Sequence, residues 1–448
     1  MLDPAAARDK LASLIDLARR KGADAADAVY VGDRSTSVGV RLGALEDVSR
    51  AEGEEIGLRV FLGSKSAGVA SSDLSADALG ALVVRALAMA GEAPEDRYSG
   101  LAPDELLLRA DPADLDLDDG SDPDPAELRA LALAAEDAAR SVEGVTNSNG
   151  GSASASAATF AVATSHGFAG ATRATGYSCS ASVVAGTGAD MQRDYGWHSA
   201  RHAADLEAPD DIGRRAGDRA AARLGPVRIA GGTMPILFDP RVATSLLGHF
   251  VAAISGAAIA RQSSFLLDAL GSQVFGKGVT IHDDPLRPRG LRSRAFDGEG
   301  LGVAPLDLVS DGVLMTWLAD SAAARQLGIA PTGHAVRGVS GAPGAGPSNL
   351  TIAAGSRSRE AMIGDIKHGI LITELIGQGV NGVTGDYSRG AAGFLVTNGE
   401  IGPPVSEITI ASNLTTMFAT LEPATDLRLR RGIDSPTLLV PEMTVASA

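Results

Sequence analysis

The chain has a single cysteine, Cys179, and only 4% aromatic residues. One thiol excludes an intramolecular disulfide framework, which points to a reducing compartment. With so few rings, and with 54 glycines, small side chains must do much of the packing. Positive charge is also scarce, 39 Lys and Arg against 55 Asp and Glu for a formal net charge of -16. No basic run is longer than Arg19-Arg20-Lys21, so the phosphate backbone of a nucleic acid is repelled rather than attracted. Long apolar runs are missing as well. The uncharged stretch from Val242 to Ala260 begins after Asp239-Pro240 and carries Thr244, Ser245, His249 and Ser255, which suits a helix buried in protein better than a bilayer span. The start, Met-Leu-Asp-Pro-Ala, lacks the basic and apolar regions of a secretory signal. These absences together predict a soluble, cytoplasmic protein with no nucleic-acid and no membrane partner.

What is present predicts an α+β fold. Asp3-Pro4 is an N-cap followed by proline at the first helical position, and Leu11, Leu14, Ile15 and Ala18 recur on one helical face until Gly22. Residues 28–49 and 54–70 alternate like antiparallel strands, and Ser75 caps a helix bearing Leu79, Leu82, Val83 and Leu87. Residues 92–123 read as a surface linker rich in aspartate and proline. Asp124-Pro125 with Glu127 forms a capping box for a helix ending near Ser141. The Ser/Ala/Thr/Val-rich text from Gly144 to Arg201, broken by Gly167, Gly176, Gly186 and Gly196, reads as a strand meander, followed by a helix over about 209–224. Gly225-Pro226 marks the expected boundary between an N-terminal α+β domain, 1–225, and a β-rich C-terminal domain, 226–448. The second domain opens with a strand at Met234–Phe238 and a buried helix bearing Leu246, Leu247, Phe250, Val251 and Ile254. Its last helix is expected over Ser358–His368, with Gly369 closing it and a strand at Ile370–Ile376.

Several patterns mimic catalytic motifs and fail on context. Gly377-x-Gly379-x-x-Gly382 follows a strand, but Gly385, Gly390 and Gly393 interrupt the helix that a dinucleotide site requires. Gly271 to Lys277 resembles a phosphate loop, yet Gly278 replaces the magnesium-binding hydroxyl and the order of elements is reversed. His198 and His202 have the spacing of zinc ligands, but Ser199 stands where the general base belongs and the segment reads as a strand. A stand-alone metal-dependent hydrolase would need His198, His202 and a carboxylate such as Asp194 or Asp205 to converge. Cys179 lies in an alternating strand with no activating neighbour and reads as an inert thiol. The segment Asn381 to Phe394 gathers donors, acceptors and a tyrosine in text too polar for a core. It is either a binding loop or a well-knitted turn.

Leu246-Leu247-Gly248-His249 through Gly256, Phe265-Leu-Leu-Asp268-Ala-Leu-Gly271 and Thr384-Gly-Asp-Tyr-Ser-Arg-Gly390 together resemble the PmbA (TldE) branch of the TldD/PmbA family. The likeness runs from the opening helix and Gly57-Leu-Arg-Val-Phe61 to Leu439-Val-Pro-Glu-Met443. It implies a cytosolic proteolytic pair in which a TldD-type partner carries a His-Glu-x-x-x-His helix and a later cysteine as zinc ligands. Against that helix this chain sets Gly248, His249 and Ala253, and Cys179 is not in the C-terminal half. The resemblance therefore implies no catalytic residue, metal or cofactor in this chain, zinc in the partner, and a supporting role: pairing with the TldD-type subunit and holding extended peptides or unfolded proteins, with a homodimer possible in isolation. His249, Asn381, Asp386, Tyr387, Ser388 and Arg389 are the candidate substrate- or partner-binding residues, although His249 also suits a core position between Leu247 and Phe250. A regulatory, non-enzymatic interaction protein is the third reading.

Overall fold

The computed structural model describes residues 1–447, and its first half is one antiparallel sheet faced by four helices. The elements are α1 (Pro4–Arg20), β1 (Ala25–Arg41), β2 (Ala44–Leu62), β3 (Lys65–Ser71), α2 (Ala76–Glu92), α3 (Pro125–Arg140), β4 (Val145–Thr164), β5 (Ala169–Ala185), β6 (Gln192–Ala200) and α4 (Pro209–Ala222). The N-caps Asp3, Ser75 and Asp124 accept backbone N–H groups as their sequence contexts predict, and Asp124 forms the full capping box with Glu127. The strand order is β3-β2-β1-β4-β5-β6.

The two expected spans, 28–49 and 54–70, are divided differently, into three strands, because the chain turns at Leu42-Gly43 and Gly63, not near Gly53. Gly53 instead pairs with Asp33 inside the ladder. Likewise Gly176 and Gly196 do not break the meander but sit within β5 and β6. At Gly196 the reason is proximity: a Cβ there would meet the carbonyl oxygen of Ile212 on α4 at 2.3 Å.

Even positions of β1 face the helices. Ala26, Ala28 and Tyr30 join Leu11, Leu14, Leu82 and Val83 in one cluster, and Val38 and Val40 join Leu128 and Ala132 of α3 in another. Odd positions face the second half, where Val29 packs with Val162, Phe168, Phe296 and Leu301. Asp27, on the same side, is buried against Arg59 and Arg337. Arg337 belongs to the second half, so this ion pair joins the two.

The segment between α2 and α3 is extended and mostly exposed, but it inserts Leu107, Leu115 and Leu117 into that inter-half cluster. Leu107 bridges to Leu301, and the Arg325 guanidinium donates to the carbonyls of Tyr98, Gly100 and Leu101. Apolar residues spaced through polar text pin the strap without forming a periodic pattern.

The second half is built on a six-stranded sheet containing β7 (Gly232–Phe238) and the strands His368–Ile376, Asp386–Thr397, Glu400–Asn413 and Leu438–Ser447. Pairing of Ile408–Ala411 with Thr444–Ser447 closes it into a barrel. Helix α5 (Pro240–Ala253), capped by Asp239, buries Ala243, Leu246, Leu247, Phe250 and Ala253 against the inward-facing barrel residues Ile236, Phe238, Ile370, Ile372 and Ile410. A five-stranded sheet with Ile281–Asp284 and Asn349–Ile352 at its middle packs into the same core.

The helix expected over Ser358–His368 is shorter, Arg359–Gly364, although Ser358 is its cap. His368 opens the following strand and pairs with Thr397. The barrel ladder claims these residues, and ladder pairing outweighs a marginal last helical turn.

Candidate functional site

α5 reaches the surface where the barrel meets β6, and a groove opens there between the two halves. A stretch of about 270 Å³ is lined by Arg193, Asp194 and Tyr195 of β6, Arg241 and Ser245 of α5, and Thr373, Glu374 and Arg389 of the barrel. A more apolar stretch of about 360 Å³ follows, with Ala222, Leu371, Phe394 and Ile401 at its walls, and it shares Asp194, Arg223 and Thr373 with the first.

Two strand edges border this groove. β6 ends the first sheet, with β5 as its neighbour on the inner side. The strand His368–Ile376 pairs with β7 only over Ile370–Ile372, so the edge of its Thr373–Ile376 end is open on that side among the described residues. Asp194 holds the halves in place across it. Its carboxylate takes both terminal nitrogens of Arg241, at 2.6 and 2.9 Å, and lies 3.5 Å from Arg223, which also pairs with Glu374. Burial opposes charge on Asp194, but the bonds and charge of Arg241 win, and its pKa lies below the ordinary range.

His249 lies one turn beyond Ser245 and so on the same helical face. It is half-buried, edge-on to Tyr387 with ring centroids 6.0 Å apart. Burial, and then the charge of Arg389, lower its pKa, so the imidazole is neutral at pH 7. Tyr387 and Arg389 are adjacent inward positions of one strand, both buried. Burial pushes the Tyr387 hydroxyl up to about 12, leaving it a donor at neutral pH. His249 Nε2, Tyr387 Oη, Arg389 Nε and Thr373 Oγ1 are all buried without a hydrogen-bond partner among the described residues. Leaving such groups unpaired is costly, and two of these residues, Thr373 and Arg389, line the groove.

The structure separates the remaining candidates from this group. Asp386 and Ser388 alternate with Tyr387 and Arg389 and point to the exposed face. Asn381 accepts from the N–H groups of Val383 and Thr384, while Asp386 accepts from the Thr384 hydroxyl and the Asn413 amide. That is a knitted turn, and Gly379 is its close approach: a Cβ there would lie 2.0 Å from the Ser388 carbonyl oxygen. Thr373, Arg223 and Arg241 were not legible as site residues, since nothing in their local text distinguishes them from other polar positions.

A hydrolase site around His198 and His202 is not assembled. His198 Nδ1 accepts from the Glu207 N–H at 3.1 Å, while His202 Nε2 is held by the Asp116 carbonyl oxygen at 2.9 Å. Asp194 is committed to arginines, and Asp205 pairs with Arg289. Among the described residues no three His, Cys, Asp or Glu side chains stand close enough to share a metal ion.

The residues at the positions of the family's metal helix do not fit zinc. Gly248 and Ala253 carry no donor, and the one imidazole, His249, faces the cation Arg389. Cys179 is buried in the other half, its thiol 3.8 Å from the Leu131 carbonyl oxygen and pushed by burial up to about 11. No helix among the described residues is long and apolar enough to cross a membrane.

Family models match three successive parts of the chain: PmbA/TldA metallopeptidase domain 1 over residues 26–90, the central domain over 118–224 and the C-terminal domain over 231–447. "Metalloprotease PmbA" of Escherichia coli O157:H7 is 37% identical over 440 residues, spanning 98% of this chain and 95% of that protein. A "Metalloprotease PmbA homolog" of Haemophilus influenzae is 36% identical over 442 residues, spanning 98% and 96%. Among solved structures, a putative modulator of DNA gyrase from Bacteroides thetaiotaomicron superposes with a TM-score of 0.91 at 25% identity over 100% of both chains. TldE from Thermococcus kodakarensis shares the fold, with a TM-score of 0.87 at 20% identity over 98% of this chain and 100% of that one. The chain thus belongs to the PmbA/TldA metallopeptidase family, in its PmbA (TldE) branch.

Proposed function

We propose that this chain is the non-zinc-binding subunit of a cytoplasmic TldD/TldE-type protease, which holds extended peptides or unfolded segments while a TldD-type partner supplies the zinc and cleaves them. One observation carries the reading: α5, the helix in the position of the family's metal helix, keeps a single imidazole yet faces a groove bordered by two open strand edges and unpaired polar atoms.

The chemistry follows from those groups. An extended peptide added beside β6 or Thr373–Ile376 satisfies its own backbone N–H and C=O groups on the strand edge, which is tolerant of sequence. Of the residues with unpaired donors, Thr373 and Arg389 line the groove and can then take the peptide's remaining carbonyls. Hydrolysis needs a Lewis acid or an activated nucleophile; Gly248, His249 and Ala253 do not make a zinc ligand set, so this reading gives the step to the partner.

The test compares the purified chain, a TldD-type subunit and their mixture for zinc content and for cleavage of an unstructured peptide. Zinc-dependent cleavage in the mixture, exceeding that of either chain alone, is the expected result. Stoichiometric zinc with peptidase activity in this chain alone would falsify the reading. Failure to recover any protease subunit with the tagged chain from cells would favour a regulatory role instead.

A further inference from the structure

The apolar stretch of the groove opens at its far end into a cavity of about 380 Å³. The two share Arg219, Asp239, Arg241 and Arg359. The cavity is lined by arginines from separate parts of the fold: Arg215 and Arg219 of α4, Arg241 of α5, Arg359, and Arg428, Arg430 and Arg431 of the late loop. In a chain of net charge -16, such a concentration has to be either neutralised internally or used.

Most of it is neutralised. Arg241 is held by Asp194, Arg215 and Arg430 share Glu207, and Arg359 lies 3.7 Å from Asp239. Two of the cavity's own carboxylates are engaged elsewhere: Asp426 accepts from the backbone and hydroxyl of Thr437, while Asp434 accepts from the N–H groups of Arg430 and Arg431 and pairs with Arg287 at 3.9 Å. Glu360 is exposed at the rim.

Arg428 is exposed and has no ion pair among the described residues, which leaves Arg219 and Arg431 as the unpaired arginines within the wall. Both are half-buried, and neither has a carboxylate within ion-pair distance among the described residues. Arg219 spends one N–H on the Tyr195 carbonyl oxygen at 3.3 Å. Arg431 lies over the Trp197 ring, 4.9 Å from its centroid, which occupies the face of the guanidinium and leaves its edge free. Burial lowers the pKa of both, against the more distant charge of Asp239, yet an arginine side chain stays cationic, so each keeps a charge that no direct ion pair closes. Planar forks of this kind match a group with two coplanar oxygens.

We infer that this cavity binds a carboxylate of the peptide lying in the adjoining groove, its C-terminal carboxylate or an acidic side chain, through Arg219 and Arg431. The inference rests on the peptide-holding reading above. It adds a constraint to it: the peptide's carboxylate lies toward α4 and the late loop.

The experiment is fluorescence anisotropy on the full chain with an unstructured apolar peptide bearing a free C-terminal carboxylate, its C-terminal amide, and the amide with one Gln replaced by Glu. Inorganic phosphate serves as competitor. The wild type is compared with Arg431→Gln and Arg219→Gln, each checked by its unfolding midpoint, so that one variant stands if the other fails to fold. The acid and the Glu-containing amide are expected to bind on the order of ten-fold tighter than the plain amide. That ratio should fall toward one in either variant, and phosphate should displace the acid but not the amide. Equal binding of acid and amide overturns the carboxylate site and leaves the peptide-holding reading intact. Failure of all three peptides to bind overturns both. Arginine-dependent phosphate binding without an acid-to-amide difference assigns the cavity to a free oxyanion and overturns the peptide source.

Discussion

The seam between α3 and α4 and the aromatic cluster beneath α5 bury side chains by opposite means. Along the seam the contacts are Ala135, Ala139, Ala216 and Ala220 with Gly213 and Gly217. A Cβ at Gly213 would lie 2.1 Å from the Ala135 carbonyl oxygen, and one at Gly217 2.7 Å from that of Ala139. Beneath α5, in a chain with only 10 phenylalanines, Phe250, Phe275 and Phe418 meet with centroids 4.6 to 6.2 Å apart. The seam gains its dispersion energy from backbones at close range, the cluster from ring area. Scarcity of aromatics in the whole chain therefore reflects where rings are placed, not a uniformly small-residue core.

The two regions should fail in opposite directions. Removing volume should hurt the cluster most: Phe250→Ala is expected to cost about 4 kcal/mol in urea unfolding, and Phe250→Leu clearly less. A cost under about 1 kcal/mol would mean that the rings are loosely packed and would dissolve the contrast. Adding volume should hurt the seam: Gly213→Val is expected to cost about 3 kcal/mol, because backbone, not a flexible side chain, stands in the way. Near-neutral behaviour there would show that α4 can shift off α3, which would also loosen the Arg215 and Arg219 wall of the cavity.

How far the sequence foretold each region follows the same division. The N-caps Asp3, Ser75 and Asp124 and the apolar faces of α1, α2, α3 and α5 rest on residues within a turn or two of each other, and they stand where the text puts them. Gly196 reads as a strand break in the sequence because its partner, the Ile212 carbonyl, belongs to an element that local text cannot bring near. The Ser358–His368 pattern reads longer than the helix it forms for a related reason, since His368 answers to Thr397 across the barrel ladder. The groove shows the same limit. Tyr387 and Arg389 stood out as a dense polar motif, whereas Arg219, Arg241, Arg359 and Arg431 reach one cavity from four distant places and form no run.

The surface where the halves meet holds two carboxylates whose pH behaviour should separate them. Burial disfavours charge on Asp27, but Arg337 and Arg59 hold its pKa down to about 2. The stability it contributes is present above the ordinary carboxylate range and is lost as pH falls toward 2. Glu299 is the reverse case. Burial pushes it up to about 7, with Asp297 adding to the rise against hydrogen bonds from the backbone and hydroxyl of Ser321. Between the ordinary glutamate value and 7 the folded chain binds the extra proton, so the contribution is full at acid pH, declines as pH rises through that window and is flat above it. Glu299→Gln mimics the protonated form and should remove this slope while leaving the acid limb set by Asp27 in place. At pH 8 the variant should be at least as stable as wild type, by a margin on the order of 1 kcal/mol, and at pH 4.5 the two should coincide. Urea midpoints of both chains across pH 4 to 8 give the comparison. A wild type without the slope, or a variant that is weaker at pH 8, would mean that Glu299 is charged in the fold and that Arg59 is shared between two anions rather than committed to Asp27.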